Sequence, residues 1–296
     1  MKSANQKSKT KSFFIDINKN EIDFDLKIFK FLTEERHVLI NKNEVARLKR
    51  KIQNDRLIIE IPVSILKRKS GPIPNHELTD QDICYEDDDL IIVNKPSGIP
   101  SQSTLDPNRD HLFAMVERKL KKPCFLHHRL DVETSGLVLF CKTKSMNKVV
   151  GAMFENKTIQ KDYVALVSPP PLEIQFTVEN YLGKIKQKIL KMTSVNCGGD
   201  KAITDFKVLA KNEMMALVKA SPRTGRTHQI RVHLSERGSP IIADTLYGTP
   251  SQEFDRLMLH AFKLSFDHPR TGERVNVEAS IPKEFLSSFE TPLNFS

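Results

Sequence analysis

The chain has 296 residues, 39% of them hydrophobic, a mean hydropathy of -0.38 and a formal net charge of +9. No stretch approaches the roughly 20 apolar residues of a membrane-spanning helix, and the length gives room for about two domains. The basic excess favours a polyanionic partner, because each phosphate met by Lys or Arg releases condensed counterions.

The lysine-rich N-terminus lacks the apolar core of a secretory signal, so a cytoplasmic protein is expected. Cys84, Cys124, Cys141 and Cys197 form no C-x-x-C pair, which argues against a zinc ribbon or a redox dithiol and for reduced, mostly buried thiols.

Residues 1–12 are polar and aperiodic and read as a disordered basic tail. Residues 13–65 read as a small module. Leu26, Ile28, Phe29, Phe31 and Leu32 predict a short helix, Val38–Ile40 runs into a turn at Asn41–Asn43, and Leu57–Ile61 predicts a closing strand. Arg47, Lys49, Arg50, Lys51 and Arg56 form a basic cluster between them. A linker over 66–80 follows, kept extended by Pro72 and Pro74.

Beyond it, Leu90–Val93 predicts a buried strand. Leu112, Phe113, Val116 and Leu120 share a helical face, with Asp110 as the expected N-cap. Leu137–Phe140 predicts a strand, and Met146, Val149, Val150, Met153 and Phe154 a second amphipathic helix. Tyr163–Val167, Phe206–Leu209 and Met215–Val218 predict further strands. Strands outnumber helices without regular alternation, which predicts an α+β fold.

Two segments stand out chemically. In His128-Arg129-Leu130-Asp131-Val132-Glu133-Thr134-Ser135-Gly136, a carboxylate follows a basic pair and precedes a strand that would hold it rigidly. An isolated aspartate at a turn is ordinarily a cap or an ion-pair partner; this context also admits a nucleophile balanced by an arginine. In Arg223-Thr224-Gly225-Arg226-Thr227-His228-Gln229-Ile230-Arg231-Val232-His233-Leu234, a basic turn leads into a helix expected to start near Thr227, and such an N-terminus suits phosphate. A solvated basic turn fits the same spacing. The histidines show no H-E-x-x-H spacing, so no metal site is expected.

These two segments resemble motifs of RNA pseudouridine synthases of the RluA type, as does LMLHAFKLSFDHPRTGE over 257–273. So do Asn94–Gly98, Lys161–Val167, Lys201–Leu209 and the Pro240–Gly248 loop, in the same order along the chain. The resemblance covers about residues 83–283. It departs at Ala243, where glycine is usual, and at Ser101-Gln102. Residues 38–61 resemble the second half of an S4 RNA-binding domain.

The resemblance implies a mixed, largely antiparallel sheet with flanking helices over 81–290, preceded by a reduced S4-like module. It implies isomerisation of uridine to pseudouridine without a cofactor or metal, by a monomer acting on RNA. An S4-like module leans towards large-subunit ribosomal RNA and leaves transfer RNA open.

Carried over by motif, Asp131 is the catalytic aspartate, Arg231 the arginine that pairs with it and Tyr163 the active-site tyrosine. His128, Arg129, Arg223, Arg226, His228 and Gln229 are the expected RNA contacts. Arg129 would fill the space of the extruded base or hold a flanking phosphate. A fold member that binds RNA without isomerising it, or a metal hydrolase built on the histidines, would be the competing assignments.

Overall fold

The computed structural model describes residues 10–16, 56–62, 77–104, 109–185, 191–248 and 250–289. The chain divides into two units. In the first, β1 (Thr10–Asp16) and β2 (Arg56–Pro62) form an antiparallel pair registered from Thr10↔Pro62 to Asp16↔Arg56. Pairing thus begins inside the stretch expected to be a tail. The expected helix at 26–32, the Val38–Ile40 segment, the cluster at 47–51 and the linker to residue 76 lie outside the described residues.

The larger unit comprises His76–Ser103 and Asp110–Ser296. Its strands are β3 (Ile83–Glu86), β4 (Leu90–Lys95), β5 (Phe125–Leu126), β6 (Ser135–Cys141), β7 (Gln160–Val167), β8 (Gln175–Ile185), β9 (Lys191–Ser194), β10 (Asp200–Lys211), β11 (Ala216–Pro222), β12 (Leu259–Asp267) and β13 (Arg274–Glu278). The sheet runs β3-β4-β6-β12-β7-β11-β10-β8-β9, with β13 beside β12 and β5 beside β6. Among the described residues only the β6–β12 pairing is parallel; every other pairing of this sheet is antiparallel. This is the expected mixed, largely antiparallel α+β fold.

The apolar runs of β4 and β6 follow from burial on both faces. Ile91, Val93, Val138 and Phe140 face a core closed by Leu112, Met115 and Val116 of helix α1 (Leu112–Leu120). The alternate residues Leu90, Ile92, Leu137 and Leu139 face a second core closed by Val150 of helix α2 (Lys144–Glu155). The cap of α1 is His111, whose Nδ1 accepts the Ala114 N–H; Asp110, the expected cap, instead binds Arg118. Helix α3 (Gln229–Glu236) starts two residues later than expected and sends Ile230 and Leu234 into the core of β7 and β11.

One row across the sheet sets the level of the site. Gly136 of β6 faces Ala261 of β12, which faces Tyr163 of β7, which faces Ala220 of β11. Gly136 has φ +115°, and a Cβ there would lie 2.2 Å from the Ala261 carbonyl oxygen. Only glycine lets β6 and β12 approach this closely. The Asp131 loop, which enters β6 just before Gly136, is therefore drawn towards the Tyr163 strand.

Candidate active site

The segment after β4 stitches the Asp131 loop in place. Buried Lys95 donates from Nζ to the carbonyls of Pro96, Ile99 and Val132. Ser97 Oγ donates to the Glu133 carbonyl at 2.6 Å, and Gly98 N–H to the Val132 carbonyl at 2.8 Å. Ser101 Oγ accepts the Leu130 N–H and donates to the Leu130 carbonyl. Ser101, where the family pattern departs, is thus buried and structural.

The loop edges an open basin of about 940 Å³ between itself, the start of β7 and the 222–231 segment. Asp131 is about one quarter exposed there, with a side-chain accessibility of 23%. Its Oδ2 accepts from Arg231 Nη1 at 3.1 Å. Arg231 is buried and donates through Nε and Nη2, both at 2.8 Å, to the two oxygens of fully buried Asp244. One guanidinium therefore joins two carboxylates, with the fork fixed on Asp244 and the remaining arm turned to Asp131.

Asp244 is itself fixed, since its Oδ1 also accepts the N–H groups of Leu246 and Tyr247. Burial would raise the Asp244 carboxyl, but the Arg231 hydrogen bonds and charge and these two N–H groups hold it below the usual range. Burial would lower the Arg231 guanidinium; Asp244 and then Asp131 outweigh this and raise it.

A second line of contacts reaches Asp131 through His228. The Tyr247 hydroxyl accepts the Met192 N–H at 2.8 Å, which leaves its proton for His228 Nδ1 at 2.9 Å. Nε2 of a neutral His228 then carries the ring proton, 3.7 Å from Asp131 Oδ2. Burial lowers the His228 imidazole more than the Asp131 charge raises it, consistent with the neutral ring.

Tyr163 lines the same basin. Burial first, and then the Asp131 charge, raises its hydroxyl above the ordinary phenol range, so it is a protonated phenol at neutral pH. Asp131, Tyr163, Arg231 and His228, separated by up to 100 residues, meet in one place.

The remaining expected contacts divide. Arg129 is exposed at the basin edge. Arg223 reaches the rim but donates through Nε and Nη2 to Asp205, and Arg226 donates to the Lys201 carbonyl with Asp200 at 3.6 Å.

Two of the expected RNA contacts are turned inward. His128 stacks on Phe154 at 4.7 Å, and its Nε2 accepts the Leu139 N–H. Burial lowers this imidazole to about 3. Gln229 is buried with all its hydrogen-bonding capacity used. Its Oε1 accepts from Thr224 Oγ1 and the Arg226 N–H, and its Nε2 donates to the Ile203 carbonyl and Thr204 Oγ1.

Thr204 in turn meets His233 Nδ1, and His233 Nε2 donates to Asn180 Oδ1. This chain of hydrogen bonds fastens α3 to the sheet and so aims Arg231. Sequence reasoning gave no role to Asp244, Tyr247 or Lys95, although all three stand in segments that carried the resemblance. Ala243, beside Asp244, has φ +59°, the left-handed backbone for which glycine is the usual residue.

A family model described as RNA pseudouridylate synthase matches residues 89–236. A Bacillus subtilis protein described as the uncharacterized RNA pseudouridine synthase YhcT is 33% identical over 246 residues, covering 81% of this chain and 80% of its own. Ribosomal large subunit pseudouridine synthase C of Vibrio parahaemolyticus is 34% identical over 259 residues, with 82% and 80% covered. The solved structure titled Human RNA Pseudouridylate Synthase Domain Containing 4 matches with a TM-score of 0.58 and 26% identity, over 70% of this chain and 91% of that one.

Proposed function

The chain belongs to the RNA pseudouridylate synthase family, and on that premise we propose that Asp131 is the group on which its isomerisation of uridine depends. In the reaction the N1–C1′ bond breaks and a C5–C1′ bond forms. C5 gives up its proton and N1 acquires one, so no electrons are gained or lost and no co-reactant is required.

The observation that carries the reading is the bridging of Asp131 and buried Asp244 by Arg231. A guanidinium held by an internal carboxylate cannot swing away, so the Asp131 carboxylate has a fixed orientation and a fixed counter-charge. Asp131 acts on C1′ or on the base of a uridine extruded into the basin. Tyr163 stacks on that base. Its hydroxyl, protonated at neutral pH, passes a proton on instead of serving as a phenolate base. Extrusion costs a few kcal/mol, which contacts to the RNA strand offset.

The substrate we propose is large-subunit ribosomal RNA, supported by the relatives named for that substrate at 33–34% identity. Residues 81–290 act as the catalytic domain and residues 13–65 as an auxiliary S4-like grip on the RNA. The experiment is tritium release from C5-labelled uridine in unmodified large-subunit ribosomal RNA. Asp131→Asn should lower turnover by about 10³-fold or more while binding persists. Wild-type turnover in that variant defeats the assignment, and pseudouridine mapping in a strain lacking the protein tests the choice of RNA.

A further inference from the structure

The acids around the basin are largely engaged. Asp131 has Arg231, Asp162 has Lys219 at 3.0 Å, and Asp205 has Arg223. Arg223, and Arg226 through the Lys201 carbonyl and Asp200 at 3.6 Å, already have exposed, exchangeable partners. Lys161 is different. Like the exposed Arg129 and Lys157 it lines the basin and, among the described residues, forms no ion pair, but unlike them it is half-buried. The exposed Glu155 does not reach it within 4 Å.

The Lys161 ammonium sits 5.7 Å from the centre of the Phe154 ring, which also stacks against His128 and His127. A Cβ built at Gly225 would lie 3.6 Å from Lys161 Nζ, which places the ammonium at the turn leading to α3. Lys161 and Tyr163 are two apart on β7, so their side chains leave the same face about 7 Å apart. That separation suits the reach from a base to its own backbone phosphate. Asp162, between them, points instead to Ser221 and Lys219.

We infer that Lys161 is the phosphate seat of the active site, binding the backbone phosphodiester of the nucleotide whose base lies on Tyr163. The inference rests on the reading of the basin as the uridine site. Burial lowers the Lys161 ammonium from its ordinary value, the direction expected of a cation that has lost water and gained no acid. A phosphate would supply the missing counter-charge. Aromatic neighbours hold the side chain without competing for it as a carboxylate would.

The test uses the full chain and a fluorescent oligouridylate of about ten nucleotides, titrated from 50 to 200 mM salt. Lys161→Gln should weaken binding about tenfold at the lowest salt and reduce the log–log salt slope by about 0.7, the share of one phosphate on a single strand. Lys161→Arg should keep the slope. Lys161→Met, an apolar chain of similar length beside Phe154, carries the test if Lys161→Gln does not fold.

With C5-labelled RNA, the loss should fall on KM, with kcat within about threefold of wild type. An unchanged slope in the neutral variants, or a collapse of kcat with unchanged affinity, overturns the inference. The same titrations in the Asp131→Asn background separate the two claims. Failure of the Asp131 assignment shows in turnover alone, failure of the Lys161 assignment in the salt slope.

Discussion

The basin holds two two-pronged arginine–aspartate pairs, one in its floor and one on its rim. In the floor, Arg231 and Asp244 are 5% and 0% exposed; on the rim, Arg223 and Asp205 are 62% and 33% exposed. The chemistry is the same and the consequence differs. Water competes for the rim pair at every hydrogen bond, so its partners are exchangeable. In the floor no water replaces a lost partner, and the pair becomes a fixed mount that aims a third hydrogen bond at Asp131.

The comparison breaks most sharply at Asp244. Asp244→Asn should cost about 3–5 kcal/mol, because it leaves a buried guanidinium without its counter-charge. Denaturant unfolding reads this, and an effect below about 1 kcal/mol would show that the floor pair is no mount.

Gly136→Ala should cost about 2–4 kcal/mol from left-handed strain and the clash with Ala261. Activity should fall further than stability alone explains, because the Asp131 loop shifts with β6. Full activity in a folded Gly136→Ala protein would mean that the loop is held by the 95–101 segment alone.

Acid should weaken the interior beneath the floor before it reaches the carboxylates. Burial lowers the His233 and His260 imidazoles to about 4 and about 3. The unfolded chain binds these protons below about pH 6.5 while the folded chain refuses them, so their stabilisation is complete above that value and falls as the pH drops towards 4. Each contributes up to about 1.4 kcal/mol per pH unit in this window. Asp244, held below the usual carboxyl range, adds its own loss only below about pH 4. Melting temperatures at pH 7 and pH 5 check this, and equal values contradict it.

The smallest effect belongs to the rim. Arg223→Ala should change stability by no more than about 1 kcal/mol and leave turnover within a few-fold of wild type. A large loss of turnover would place Arg223 with the floor.

Legibility in the sequence tracked uninterrupted apolar runs more than burial: β12, buried along nearly its whole length, is broken by His260, Lys263 and Ser265. β4, β6 and β7 are apolar runs and were predicted as strands. β8, with burial alternating along QFTVENYLGKI, was not singled out, because half its residues face water and its apolar content is diluted. The cap of α1 falls one residue later than the sequence predicts, since Asp110 and His111 are both able to accept an N–H and only the backbone path decides between them. His128 and Gln229 were expected to meet RNA for being polar beside basic residues; both spend their polarity inside the protein. The sequence assigns Lys161 no role, because the lack of an acid beside it exists only in three dimensions.

Residue order alone determined the α+β architecture, through its apolar runs, and the family, through motifs that resemble it in order along the chain, because a buried sheet demands particular runs and a reaction class demands particular groups. Only the tertiary structure decided which cations are engaged and which are open. Arg231 finds its acids 13 and 100 residues away, and Coulomb attraction and desolvation depend on distances in space that no separation along the chain encodes.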